Sequence, residues 1–169
     1  KSESNLETIK AESAGSDKDT TSVRYRLIDE GEDRRRGLIL HCEQISLGRQ
    51  VALKVLDRRD DDDGKAALQD EARVLGSLDH PHIVPIHEMG DDYYTMKVIR
   101  GGSLADLLQD GPLQREECFD LLIKIGNAIA YAHDQGIIHR DIKPANILLG
   151  EYGAVWLVDW GLACAAPDA

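Results

Sequence analysis

Short runs that alternate between apolar and polar side chains fill much of the chain up to about residue 99, and one long run of helical period follows at 114–134. Val51-Ala52-Leu53-Lys54-Val55 alternates around a single cation, the pattern of a half-covered strand. Two strands are expected ahead of it, roughly 24–31 and 37–46, with order starting at Tyr25-Arg26-Leu27-Ile28 and a turn at Leu47-Gly48-Arg49. A further pair is expected over Val84–Met89 and Tyr93–Ile99, joined by a Gly90-Asp91-Asp92 turn. The run Glu71-Ala72-Arg73-Val74-Leu75-Gly76-Ser77-Leu78 reads as a short helix that opens at Glu71, with Val74, Leu75 and Leu78 on one face.

The second half of the chain changes period. Ser103-Leu104-Ala105-Asp106 has the Ser-x-x-acid form of a helix start. The clearest helix, 114–134, carries Cys118, Leu121, Leu122, Ile125, Ala128, Ile129 and Ala132 at helical spacing, and Gly136 ends it. Ile147-Leu148-Leu149 and Val155-Trp156-Leu157-Val158 form a hairpin around Gly150-Glu151-Tyr152-Gly153. Asn146 stands at one end of that hairpin and Asp159 at the other, so the ribbon brings the two together. Residues 1 to about 22 are rich in Ser, Glu, Lys and Asp with almost no large apolar side chains, and read as a disordered lead-in. There is no internal repeat.

Composition narrows the class. A chain of 169 residues that is 42% hydrophobic can bury the core of one ordinary domain. No apolar run approaches bilayer length, and the first residues carry no signal-peptide pattern. Cys42, Cys118 and Cys164 are odd in number and lack metal-ligand spacing, which points to a reduced, cytoplasmic compartment. A net charge of −11 argues against nucleic acid or an anionic membrane as the main partner. Asp60 to Asp63 reads as a solvated loop between strand and helix, since four consecutive side chains cannot all converge on a cation. The six histidines need no metal.

The chemistry is concentrated in His139-Arg140-Asp141-Ile142-Lys143-Pro144-Ala145-Asn146, followed thirteen residues after the Asn by Asp159-Trp160-Gly161. Two carboxylates and an amide meet near one point. Phosphoryl transfer from a metal–nucleotide needs such a set: one acid orients a hydroxyl nucleophile, while an Asn and a second acid hold divalent metal on the phosphates. Each short string alone is weak, and a surface Lys with a helix Glu would explain Lys54 and Glu71 separately. In this order, the blocks resemble the catalytic and metal-binding loops of the eukaryotic-like, Hanks-type serine/threonine protein kinases of bacteria. The likeness covers roughly residues 25–165 and is to the variant with Trp in place of Phe in the metal-binding triplet.

That resemblance implies an α+β, protein-kinase-like fold. A five-stranded antiparallel small lobe with one helix would occupy 23–99, and the first part of a helical large lobe 100–169. It implies ATP and Mg²⁺ as cofactors and a protein substrate presenting Ser or Thr. Lys54 and Glu71 would position the nucleotide, Asp141 orient the hydroxyl, Lys143 neutralise the transferring group, and Asn146 with Asp159 hold the metal. Met96 would be the gatekeeper. Lys97, Val98 and Ile99 would form the hinge, with Ala52 and Leu148 on the adenine ring and Gly37 and Ile39 beside the nucleotide. His139 and Trp160 would stack with Leu75 in an apolar column joining the lobes.

Two departures from the family accompany it. The first two glycines of the phosphate-covering loop fall at Glu32 and Arg34, and only Gly37 keeps its place unless a slipped register lets Gly31 serve. Arg34, Arg35 and Arg36 either supply positive charge there, close the site by bulk, or form a plain solvated turn. The chain also stops shortly after Asp159-Trp160-Gly161 and lacks a first Met, which suggests a piece of a longer protein. The Leu121 and Ile125 stripe is then expected to lie exposed, and residues 1–169 alone to be inactive. A pseudokinase-like nucleotide-binding or docking module is the alternative function. A small-molecule phosphotransferase is disfavoured by Lys143-Pro144 and the length of the hinge segment.

Overall fold

The computed structural model of the protein describes residues 24–34, 37–56 and 62–166. The lead-in expected over 1–22 lies outside them, as do Asp60 and Asp61. Strands β1 (Tyr25–Arg34), β2 (Gly37–Gln44), β3 (Arg49–Val55), β4 (Ile86–Met89) and β5 (Tyr93–Lys97) form an antiparallel sheet in the order β1-β2-β3-β5-β4. This is the expected five-stranded sheet, with β1 longer and β4 and β5 shorter than their apolar patterns suggested.

Register decides what each face of the sheet does. Ile39 lies opposite Lys54 and His41 opposite Ala52, while Lys54 lies opposite Tyr94 and Ala52 opposite Met96. Because strand side chains alternate, these six share one face. Leu40, Cys42, Val51, Leu53 and Val55 take the other and bury themselves with Tyr25 in a core of their own. The Tyr25 hydroxyl donates to Glu88 at 2.6 Å, and Arg24 donates to the same carboxylate at 3.0 Å. The two edges of the sheet, β1 and β4, are thereby drawn together, so the sheet is curled.

Helix α1 (Asp62–Ser77) is longer than its apolar run indicated. Glu71 does not open it but sits in its third turn, and Asp62 and Asp63, read from sequence as loop, form its first turn. Carboxylates there face the positive end of the helix dipole, which stabilises a start that has no apolar residue to announce it. Helix α2 (Leu104–Leu107) begins with the expected Ser103 and Asp106 capping box. Helix α3 (Arg115–Asp134) ends at Gly136, whose φ of 72° suits a residue without a Cβ.

The α3 stripe corrects a second expectation. Ile125 is only 4% exposed, Ala128 and Ala132 are buried, and Leu121 and Ile129 pack on the same core. Leu122 is 63% exposed and shares the open side with Phe119 and Ile123. The buried line runs through Leu121, Ile125 and Ala128, and Leu122 stands roughly a quarter turn away from it. Ile125 shares its core with Ile147, Val155 and Leu157 of the hairpin of β7 (Ile147–Leu149) and β8 (Val155–Leu157), and α3 packs against β8. Lys124 ties α3 to that hairpin by donating to the Gly153 carbonyl at 2.8 Å. A short pair, β6 (Ile137–Ile138) with β9 (Cys164–Ala165), was not legible in the sequence pattern. One core, containing Leu68, Leu75, Tyr94, Ile125, Leu157 and Trp160, runs through both the sheet part and the helical part. No helix among the described residues is long and apolar enough to cross a membrane.

Candidate active site

A cavity of about 930 Å³ opens between the sheet and the helical part. Its roof is the shared sheet face of Ile39, His41, Ala52 and Met96, and its floor includes Leu148 and Val158. Lys97 and Ile99 line the side where β5 runs on toward α2. The remaining expected residues, Lys54, Glu71, Asp141, Lys143, Asn146 and Asp159, all line this same space.

Lys54 projects from the middle of β3 and meets Glu71 from α1 at 2.6 Å, with side chains only 7% and 4% exposed. A buried ammonium needs such a partner, because an unpaired charge in the interior is strongly destabilising. The Tyr94 ring, directly across the strand pair, lies 5.8 Å from the ammonium and adds a π face. Neither His41 nor Tyr94 was singled out from sequence as a wall of the site. The signal was present, since both follow from period two once Lys54 and Ala52 are assigned to the cavity face.

The loop after β6 is built around His139. Its Nε2–H donates to the Val158 carbonyl at 3.1 Å, and its Nδ1 accepts from the Asp141 amide at 3.2 Å. These two bonds fix one neutral tautomer. Burial pushes the imidazole below its ordinary value despite the carbonyl and the carboxylates nearby. The ring packs on Trp160 with centroids 4.5 Å apart, and Leu75 belongs to the same core. Asp141, set by this histidine, accepts from Lys143 at 2.6 Å and from the Asn146 amide at 3.0 Å. The Lys143 bond, seconded by Asn146, holds its carboxyl below the usual range, so it is an acceptor at neutral pH. Arg140 and Asp159 flank the cluster with φ of 65° and 63°, a left-handed backbone that costs a non-glycine residue energy.

The metal question turns on donor chemistry. The Asn146 nitrogen also donates to the Asp141 carbonyl at 2.8 Å, so both its bonds go to Asp141 and its oxygen is the atom left to ligate. With the Asp159 carboxylate this makes two oxygen donors, a fit for Mg²⁺, which keeps several waters and takes its other ligands from phosphates. Among the described residues no cluster of three or more His, Cys, Asp or Glu forms an all-protein cage.

Gly37 stands apart. It opens β2 opposite Arg34, so β1 and β2 pair right up to the turn, and the described cavity wall begins two residues on at Ile39. Gly31 and Glu32 fall in the register shift between Glu30 and Asp33.

Residues 31–169 match the family model of the protein kinase domain. The chain belongs to the protein kinase family. A probable serine/threonine-protein kinase of Streptomyces coelicolor is 38% identical over 142 residues, which is 78% of this chain and 21% of that protein. The serine/threonine-protein kinase PrkC of Bacillus subtilis is 38% identical over 131 residues, 73% of this chain and 20% of its own length. PknE of Mycobacterium tuberculosis, another serine/threonine-protein kinase, is 37% identical over 139 residues, 78% and 25% of the two chains. The chain thus spans about a fifth to a quarter of the curated relatives it matches. Membership in the kinase family accounts for the five-stranded sheet with its single helix, and for the placement of the cavity where sheet and helices meet.

Proposed function

We propose that this kinase domain transfers the γ-phosphoryl group of ATP to a Ser or Thr hydroxyl of a protein substrate. The observation that carries this is the convergence of Asp141, Lys143, Asn146, Asp159 and the Lys54–Glu71 pair on one cavity. Lys54, held by Glu71, grips the α- and β-phosphates. Ala52 and Leu148 sandwich the adenine, Met96 closes the back, and the backbone of Lys97 to Ile99 bonds its edge, with Ile39 and Gly37 above. The substrate oxygen attacks the γ-phosphorus as the bond to the β–γ bridging oxygen breaks. Asp141 accepts the hydrogen bond of that hydroxyl and aligns it, and Lys143 offsets the charge of the moving group. Asn146 and Asp159 would hold Mg²⁺, which neutralises charge on the phosphates.

On this reading the chain is of the bacterial eukaryotic-like type with Asp-Trp-Gly in the metal loop. The small lobe runs over 23–99, ending after β5, and the start of the large lobe over 100–169. A cytoplasmic setting is supported by the need for ATP and by three unpaired cysteines. The charge of −11 supports a protein partner over nucleic acid. The docking alternative rests on Glu32 and Arg34 in glycine positions, and the intact catalytic cluster weighs against it.

The test is radiolabelled-phosphate transfer to a protein substrate by the protein as it occurs naturally. Asp141→Asn should cut kcat by about 10²- to 10⁴-fold while ATP affinity stays within a few-fold, because Asp141 faces the hydroxyl. Unchanged turnover in the variant would refute the assignment.

A further inference from the structure

The catalytic reading uses the Lys97 backbone but neither the Lys97 nor the Trp156 side chain, and the present inference rests on the nucleotide reading of the cavity. We propose that Trp156 is a positioning residue: its indole face holds the Lys97 ammonium and so ties the hinge to the hairpin that forms the adenine floor. The ammonium lies 4.9 Å from the ring centroid. Among the described residues no carboxylate pairs with it.

The placement gives this contact a purpose. Trp156 lies opposite Leu148 in the β7–β8 pair, and Leu148 is the cavity floor. Lys97 ends β5 and starts the segment whose backbone faces adenine. The far end of that segment is already fastened to the same hairpin. Leu149 donates its amide to the Gly102 carbonyl at 2.9 Å, and Ser103 bridges to Leu148. At Gly101, with φ of 147°, an added Cβ would stand 1.8 Å from the Leu149 oxygen, so only glycine allows the approach. Among the described residues the near end has no such backbone bond to the hairpin. Its own amide turns instead to the Pro85 carbonyl at 3.2 Å. The Lys97–Trp156 contact is therefore the second fastening, and with it the slot between hinge and floor has a set width before nucleotide arrives. Pre-forming a slot lowers the ordering cost of binding and so raises affinity. It does not touch the reacting atoms, so it should not change the chemical step.

Three variants test the clamp. Lys97→Met keeps the stem and removes the charge, Trp156→Leu removes the π face, and Trp156→Phe retains one. Lys97 is exposed, so its variant has no fold to lose. ATP affinity by calorimetry should weaken about three- to fivefold in Lys97→Met and in Trp156→Leu, with no further loss in the double variant. The kcat of Trp156→Leu at saturating ATP should stay within about twofold, and Trp156→Phe should recover most of the affinity lost in Trp156→Leu. Indole emission, read without nucleotide, should shift in Lys97→Met. Wild-type ATP affinity in both single variants, or losses that add in the double, would overturn the proposal, as would unshifted emission. A wild-type protein that binds no ATP would instead overturn the nucleotide reading, and the emission shift would still show whether the two side chains touch.

Discussion

The imidazole of His139 sits between the Val158 carbonyl and the Asp141 amide, with both ring nitrogens engaged. A proton added to Nδ1 would break the second bond and charge a ring that is 2% exposed. Its folded-state value is depressed, as are those of His80 and His87, all mainly through burial. Below the ordinary value of 6.5 the unfolded chain therefore binds more protons than the folded one, and stability falls as pH drops through that window. Denaturant melts between pH 5 and 8 should show this slope, and His139→Gln should flatten it even though it lowers stability overall. An equal slope in the variant would remove His139 from the account. Asp141 acts lower, because its stabilising charge is lost only as pH falls below the ordinary carboxylate range. At this scale the family resemblance of the motifs pointed to Asp141, Lys143, Asn146 and Asp159, and all four line one cavity. The tautomer of His139 was not legible in the sequence, because it depends on a carbonyl nineteen residues away.

Helix α3 shows where an element is harder to read than a residue. Seven apolar positions fit one helical stripe, yet Leu122 looks to solvent and Ile125 is sealed. Periodicity gives the orientation of a stripe but not its width, which is set by the hairpin packed against it. Ile125→Ala should cost about 2–4 kcal/mol through the cavity it leaves, and Leu122→Ala less than about 0.5 kcal/mol. Equal losses in urea melts would mean that the helix is rotated from the position described. The start of α1 was hidden for a different reason. Asp62 and Asp63 stabilise a helix through its dipole and leave no apolar periodicity to detect.

The sheet part and the helical part share a core, and Lys54–Glu71 is the buried charge pair that bridges β3 and α1 beside it. Removing one partner and removing both should have opposite consequences. Glu71→Ala leaves the ammonium unpaired and should cost about 3–5 kcal/mol, whereas Lys54→Met with Glu71→Leu should recover most of that stability. ATP binding should be lost in both, which separates what the pair does for folding from what it does for nucleotide. A double variant no more stable than Glu71→Ala would contradict this. The whole-molecule features least visible in sequence are those closed over long separations. The Tyr25–Glu88 latch spans 63 residues, and nothing in the local pattern of either strand foretells it. Short turns account for the β1–β2, β2–β3 and β4–β5 neighbours, whereas the β3–β5 pairing closes only after the connection through α1.

Among the described residues, three that are not glycine hold a left-handed backbone: Arg140, Tyr152 and Asp159. At Tyr152, fully exposed on the hairpin turn, glycine would relieve the strain, with a net gain of about 0.5–1 kcal/mol after the added freedom of the unfolded chain. A thermal melt of Tyr152→Gly checks this, and a lower melting point would contradict it. The same exchange at Asp159 offers a similar thermal reward and deletes a proposed metal ligand. Anyone breeding hardier versions of this protein by heat selection would thus meet two mutations that look alike in the assay, one expected to be harmless and one expected to abolish phosphate transfer if Asp159 holds the metal as proposed. Only a screen that also scores phosphate transfer would tell them apart.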